Sequence, residues 1–258
     1  MNTHREKRVL VVGDACVDRF IYGSVPRICP EAPVPVFIPE TTEENMGMAL
    51  NVGANISSLG MACSCATNSP HSILKKRYVE SSINQMILRV DEEQKLTPCT
   101  HEQITVEQWN SDCLVVSDYC KGFVSASFAS DLSSRFPVSF LDTKKPISDW
   151  CEGFSFIKIN EQEYNRSFSY IPPTVHEKII VTLGKRGCMY RNKIYSPPKI
   201  SNTVNVCGAG DTFMAGLVVE YCKSGNIERA IDFALLCSSD VVQRRGVAVP
   251  FGKDTKET

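Results

Sequence analysis

Five short apolar runs, each breaking off into a polar cluster, constrain how this chain can fold more than any other feature. Val9-Leu10-Val11-Val12 ends in Gly13-Asp14, and Leu114–Ser117 ends in Asp118-Tyr119-Cys120-Lys121-Gly122. Val138–Leu141 ends in Asp142-Thr143-Lys144, Phe154–Ile159 in Asn160-Glu161-Gln162-Glu163, and Lys178–Leu183 in Gly184. Short continuous apolar runs suit strands buried on both faces. Between and after them come helix-competent stretches at Ser125–Phe136, Thr212–Lys223 and Ile227–Val242. Alternation of the two predicts an α/β domain. In open α/β sheets ligands bind beyond the strand C-terminal ends, which is where the polar clusters fall. With no internal repeat or low-complexity linker, residues 1–258 read as one domain.

Composition narrows the partners. A net charge of −1 over 258 residues gives no global attraction for nucleic acid or an anionic membrane surface. The segment His4-Arg5-Glu6-Lys7-Arg8 is basic but reads as a solvated terminus, and Lys253–Thr258 as a frayed one. No apolar segment is long enough to span a bilayer, and Val9–Val12 is too short for a signal-peptide core. The 12 cysteines are scattered, with no C-x-x-C pair, and several sit inside apolar runs; this predicts a reduced, cytoplasmic protein without structural disulfides. The four histidines fit no zinc spacing.

Phe20–Pro39 differs in character, alternating and carrying five prolines. Proline in strand-like sequence marks edge strands, so this stretch predicts a small β element standing off the main sheet, with Asn84–Asp91 returning to pair with it. An exposed apolar face on such an element invites a partner. Thr41–Leu59 becomes helical, with Val52, Ile56 and Leu59 at helix spacing and Gly60 as C-cap. Only 14 residues, Met61–Leu74, follow, whereas a strand–helix–strand unit needs about 30.

Asn205–Leu217 is the stretch with the most chemistry. Gly208-Ala209-Gly210 precede Asp211, and a helix-competent run follows. Small residues leave backbone N–H groups uncovered, and a helix start adds unpaired N–H groups and a positive dipole end, so an anion such as phosphate is favoured there. An acid at its edge can take a proton from an attacking hydroxyl. The alternative is a glycine-rich turn with Asp211 as a helix cap. Asp14 and Asp18, beyond the first strand, can accept hydrogen bonds from sugar hydroxyls or can simply form turns. Neither the Walker P-loop nor the G-x-G-x-x-G fingerprint occurs.

Gly208-Ala209-Gly210-Asp211, with Asn205 ahead and Ala215-Gly216 behind, resembles the C-terminal signature of the ribokinase-like (PfkB) carbohydrate kinases. More narrowly, Gly13-Asp14, Asp18-Arg19-Phe20 and the proline-spaced string Pro26–Val36 resemble the bacterial heptose-7-phosphate kinases of lipopolysaccharide-core synthesis, as do Ser117–Tyr119 with Lys121-Gly122, and Leu88–Asp91. The resemblance implies a ribokinase-like three-layer α/β sandwich, with a mostly parallel central sheet and a small β lid from about 19–40 and 84–91. It implies ATP and Mg²⁺ as cofactors, a sugar phosphate as substrate, and a homodimer formed through the lid.

Site roles follow from the same resemblance. Asp211 would be the catalytic base, and Gly208, Ala209 and Gly210 the anion hole for the transferring phosphoryl group. Asp14, Asp18, Gly47, Asn51 and Lys121 would bind the sugar phosphate. Asn160 and Glu163, in an N-x-x-E pattern, would order Mg²⁺ and phosphates indirectly, and Thr182 and Gly184 would lie against the nucleotide. Each has a plainer alternative: Asn160 and Glu163 also spell a capping box, and Lys121 and Arg27 are equally read as solvated cations. Met48 replaces the second glycine of the family's Gly-Gly pair and is expected to crowd the sugar or stiffen the lid hinge. Asn205 stands where an aspartate often helps bind a monovalent cation, and Leu235 where an asparagine usually lies near adenine. Tyr164–Glu177 leaves little room for the usual helix. The leading reading is a kinase forming heptose 1,7-bisphosphate; a kinase for another sugar and a non-catalytic binding protein are the alternatives.

Overall fold

The structure is a computed structural model that describes residues 6–199, 204, 206–244 and 248–251. The expectations placed on His4, Arg5, Asn205 and Lys253–Thr258 lie outside the described residues. The chain begins with β1 (Arg8–Gly13), β2 (Ala15–Ile28), β3 (Pro35–Met48) and α1 (Ala49–Ser58). Next come β4 (Ala62–Thr67), β5 (Ile73–Glu80), β6 (Gln85–Glu93), α2 (Val106–Trp109), β7 (Cys113–Asp118) and α3 (Ala126–Ser133). They are followed by β8 (Ser139–Thr143), β9 (Phe156–Asn160), α4 (Glu161–Ser167), α5 (Pro173–His176) and β10 (Ile179–Thr182). The hairpin β11 (Cys188–Tyr190) and β12 (Lys193–Tyr195) leads to α6 (Ala209–Ser224) and α7 (Ile227–Val241).

Eight strands form one sheet in the order β12-β11-β10-β9-β8-β7-β1-β4. All neighbours from β10 to β4 pair in parallel, and the β11–β12 hairpin adds the antiparallel edge. Parallel strands need crossovers on the sheet's faces, which is why the apolar runs are continuous rather than alternating. In β1, Val9 and Val11 pack with α1, α6 and α7, while Leu10 and Val12 pack with α3 on the other face. The result is three layers around two cores. Helix α6 is buried along almost its whole length, against both α7 and α1. A helix enclosed in this way needs no polar face.

The second sheet has the order β3-β2-β5-β6 and forms the lid. Its strand roots are fixed in the main core, since Cys16, Met48 and Ile73 belong to the same buried cluster as Leu10 and Val12. Two expectations change here, and the shortness of 61–74 is borne out. Residues 41–48 continue β3 instead of starting a helix. β5, which the sequence did not announce, lies between β2 and β6, so β6 pairs with β5 and not with the 20–39 element. Residues 61–74 contain the parallel edge strand β4 and the start of β5, and no helix longer than a single 3-10 turn. The run Lys75-Lys76-Arg77 masks the alternation of β5, because long cationic side chains can lie along a half-buried sheet face with their heads in water. Tyr164–Glu177 is covered by the short helices α4 and α5 with a 3-10 turn between them.

Candidate active site

The N-terminus of α6 is the centre of the polar site. Gly208 is the N-cap residue and has φ +78°, a left-handed conformation that glycine adopts without a Cβ clash. Ala209, Gly210 and Asp211 form the first turn, so the helix begins earlier than its apolar pattern suggests. First-turn N–H groups have no intrahelical acceptor and point outward with the positive end of the dipole. Gly210 lies beside a cation: a Cβ built on it would be 3.2 Å from Lys158 Nζ.

Asp211 is buried, and its two carboxylate oxygens have different donors. Asn51 Nδ2 donates to Oδ2 at 2.8 Å and the Tyr119 hydroxyl to Oδ1 at 2.5 Å. Asn51 is set by Asn55, whose Nδ2 donates to the Asn51 carbonyl and side-chain oxygens, and Asn55 Oδ1 accepts from the Thr212 hydroxyl. A polar ladder thus ties α1 to the first turn of α6. Burial raises the Asp211 pKa above the usual carboxylate range, against the lowering effect of Tyr119 and Asn51 as donors and of Lys158.

Asp18 and Gly47 come together on the lid. Asp18 on β2 is buried and ion-paired with Arg77 of β5. Gly47 on β3 faces the same carboxylate, and a Cβ there would come within 2.3 Å of Asp18 Oδ2. The charges of Asp18 and Asp211 both act on two thiols, Cys207 and Cys16. Burial raises the Cys207 thiol, Arg77 and Lys75 lower it, and both carboxylates raise it. Cys16 is pushed up to about 12, by burial first and with Asp18 and Asp211 both contributing.

Asp14 is placed differently from a substrate ligand. It is wholly buried, and its oxygens accept the main-chain N–H groups of Tyr119 (2.7 Å), Lys121 (3.2 Å) and Phe123 (3.2 Å). It shapes the loop after β7. Lys121 pairs with Glu93 of β6, and Arg27 is exposed near the tip of the lid.

Asn160 and Glu163 make the reciprocal capping box of α4. Asn160 Oδ1 accepts from Glu163 N–H at 2.9 Å, and Glu163 Oε2 accepts from Asn160 N–H at 2.7 Å. Glu163 Oε1 also accepts from Lys144. Thr182, at the end of β10, donates its hydroxyl to the Ile159 carbonyl at 3.3 Å, and Gly184 opens a short turn at φ +59°. Met48, which replaces a glycine of the family pattern, is buried and is N-cap of α1 at φ +58°, a conformation uncommon for a side-chain-bearing residue. Leu235 is buried in the α6–α7 core.

Several site residues had no role in the sequence reading. Lys158 and Asp142 form a buried ion pair at 2.6 Å, and Asp142 Oδ1 has no partner among the described residues. Lys75 and Lys144 each hold an ammonium 5.5 Å from the Tyr119 ring centroid. One signal was available. Lys158 interrupts the apolar run Phe-Ile-Lys-Ile of a strand buried on both faces, and a lysine there requires an anionic partner.

A three-layer sandwich with a small second β sheet and a buried acid at a helix N-terminus is the architecture of the ribokinase-like kinases, and solved structures agree. The Arabidopsis thaliana ribokinase complexed with ribose and ATP superposes with a TM-score of 0.71 at 15% identity, covering 94% of each chain. A Thermotoga maritima ribokinase gives 0.68 at 17% identity, covering 93% of this chain and 94% of that one. The family model for pfkB family carbohydrate kinases matches residues 110–253, and the chain belongs to that family. Among curated proteins it is similar to the bifunctional protein HldE of a Nitratiruptor species, 26% identical over 97% of this chain and 64% of that protein. The bifunctional protein HldE of Klebsiella pneumoniae subsp. pneumoniae is 28% identical over 93% of this chain and 61% of that protein. The chain therefore spans less than two thirds of the length of these relatives.

Proposed function

We propose that this carbohydrate kinase transfers the γ-phosphoryl group of ATP to the anomeric hydroxyl of a heptose 7-phosphate, giving heptose 1,7-bisphosphate. The observation that carries the reading is the Asp211 carboxylate, buried and held by Asn51 and Tyr119 at the N-terminus of α6. The choice of sugar is supported by the Pro26–Val36 string and by the similarity to the HldE proteins over nearly the whole chain.

Asp211 accepts the proton of the acceptor hydroxyl as that oxygen attacks phosphorus. Phosphoryl transfer is accelerated chiefly by positioning and charge stabilisation. The N–H groups of the first turn of α6, in the segment Gly208–Gly210, and the adjacent Lys158 ammonium meet the negative charge on the transferring group. Asp18, with Gly47 making room for it, and Asn51 hold sugar hydroxyls. Lys121 reaches the distal phosphate only by leaving Glu93. Thr182 and Gly184 border the nucleotide at the end of β10. Asp142 Oδ1 on β8 has no partner among the described residues, and Asn160 and Glu163, at the end of the neighbouring β9, would order a hydrated divalent cation only by releasing their capping bonds. Mg²⁺ bound there with ATP would neutralise phosphate charge. An ADP-release panel of sugars and sugar phosphates tests the assignment: heptose 7-phosphate is expected to give the highest kcat/KM, and preference for an unphosphorylated sugar would contradict it.

The lid's outer face supports a homodimer. Met46 and Leu88, on the face of that small sheet opposite Asp18, are exposed by 46% and 54%, and exposed apolar groups clustered on one element mark contact surfaces. Sedimentation of Leu88→Asp is expected to show monomer where the native chain shows dimer.

A further inference from the structure

Phosphoryl transfer by Asp211, Lys158 and the α6 N-terminus makes no use of the Tyr119 side chain, yet Tyr119 is among the most tightly specified groups in the site. Its backbone is fixed by Asp14, which accepts the N–H groups of Tyr119, Lys121 and Phe123. Its hydroxyl donates to Asp211 Oδ1 at 2.5 Å. Its ring lies 5.5 Å from the ammonium of Lys75, on lid strand β5, and 5.5 Å from that of Lys144, beyond β8. A wholly buried carboxylate devoted to shaping one loop is explained if the loop's cargo has to be placed accurately.

We propose that Tyr119 is a positioning residue for proton acceptance by Asp211: its hydroxyl pins Oδ1, orients the carboxylate and favours the ionised form that takes the proton of the acceptor hydroxyl. The proposal rests on the reading of Asp211 as base. A hydrogen bond donated to a carboxylate stabilises the charged form, whereas burial disfavours it. Asp211 is exposed to both effects, since it is buried and has the donors Tyr119 and Asn51. Tyr119 itself stays a neutral donor, because burial and then the negative charges of Asp211 and Asp142 push its pKa well above the ordinary value.

Other charged and titratable groups face Asp211 from the elements around it. Lys158 comes from β9 and Asp142 from β8, the first favouring and the second opposing ionisation. Lys144, beyond β8, also feels the Asp211 charge. Cys16 on β2 and Cys207 ahead of α6 feel it as well, and both thiols are held above their ordinary pKa, so they stay neutral through the working range. The donor to Oδ1 is Tyr119, while Lys158 donates to Asp142 Oδ2.

Tyr119→Phe removes the donor and keeps the ring between its neighbours. In the full chain, the acid limb of the kcat/KM–pH profile is expected to move upward by about one to two pH units, with activity recovering at high pH. A uniform loss at every pH, or an acid limb that does not move, overturns the proposal. A second readout does not depend on turnover: the Asp211 carboxyl carbon, followed by ¹³C NMR, is expected to titrate at higher pH in Tyr119→Phe than in the native chain, and equal midpoints overturn the proposal. Asp211→Asn separates the two levels. If it turns over at the native rate, the base reading falls and this proposal with it. If it is inactive while the Tyr119→Phe profile superimposes on the native one, only the Tyr119 proposal falls.

Discussion

Gly47 and Asp18 meet so closely across the β2–β3 pair that a Cβ on Gly47 would stand 2.3 Å from Asp18 Oδ2, with Cys16 Sγ at 2.6 Å on the other side. The absence of a side chain on one lid strand therefore makes room for the carboxylate on the next. No Cβ is tolerated at 2.3 Å, so Gly47→Ala must shift the Asp18 carboxylate, whose other oxygen pairs with Arg77. The expected result is a KM for the sugar raised about tenfold or more, equivalent to about 1.4 kcal/mol of binding, with a smaller change in kcat. Steady-state kinetics with the acceptor varied checks it, and an unchanged KM contradicts the role given to Asp18.

Met48 sets two effects against each other. Its φ of +58° is strained for a residue with a Cβ, which costs about 1–2 kcal/mol. Its side chain is buried in the main core, and deleting a buried methionine side chain costs about 2–5 kcal/mol. Lost burial outweighs relieved strain, so Met48→Gly is expected to lower stability despite restoring the family's glycine. Denaturant unfolding reads the sign, and a stabilised variant would show that backbone strain dominates at the lid hinge.

Lys158 and Asp142 are buried together. Removing one partner of such a pair leaves an uncompensated charge and costs about 3–5 kcal/mol. Lys158→Met is expected to be destabilised on that scale, while Lys158→Met with Asp142→Asn recovers most of the loss. Neither variant should recover phosphoryl transfer, because the cation beside Gly210 is gone in both. Chemical denaturation and ADP release measured on the same samples separate structure from chemistry; full activity in the stable double variant would remove Lys158 from the site.

Asp211 links the chemistry to stability. Burial raises its folded-state pKa above the unfolded value of about 3.9. Below the unfolded pKa both states hold the proton and the group is neutral to stability. Above it the unfolded chain ionises first, so stability falls as pH rises, until the folded carboxyl has also ionised. Asp211→Asn avoids that loss. Its Tm should exceed the native value at about pH 7 and converge on it towards about pH 4, as thermal melts across that range would show. A native chain more stable than the variant at neutral pH contradicts the raised pKa.

What could be read from the sequence follows the physics of each segment. Strands β1, β7, β8, β9 and β10 of the main sheet were legible because burial on both faces writes itself as an unbroken apolar run, as in Val9–Val12 and Leu114–Ser117, whereas the edge strand β4 carries no such run and was not. The α6 corner was legible because Gly208 and Asp211 have few other uses in that order. β5 was not, since Lys75-Lys76-Arg77 hides a strand, and one of these cations pairs with Asp18. The ladder from Asn55 to Thr212 joins residues 157 positions apart, and no local pattern signals it. Asn160 and Glu163 show a further limit: a capping box and an N-x-x-E pattern use the same atoms, so residue order alone cannot separate the two roles.

The central claim is that Asp211 takes the proton from a sugar hydroxyl while the N-terminus of α6 holds the phosphoryl group. The most direct measurement is transfer of label from γ-³²P-ATP to heptose 7-phosphate by the native chain and by Asp211→Asn, at equal concentrations of folded protein. Labelled heptose 1,7-bisphosphate is expected from the native chain, with its rate lowered about a thousandfold or more in the variant, the range in which a positioned base contributes. Comparable transfer by the two proteins would contradict the claim.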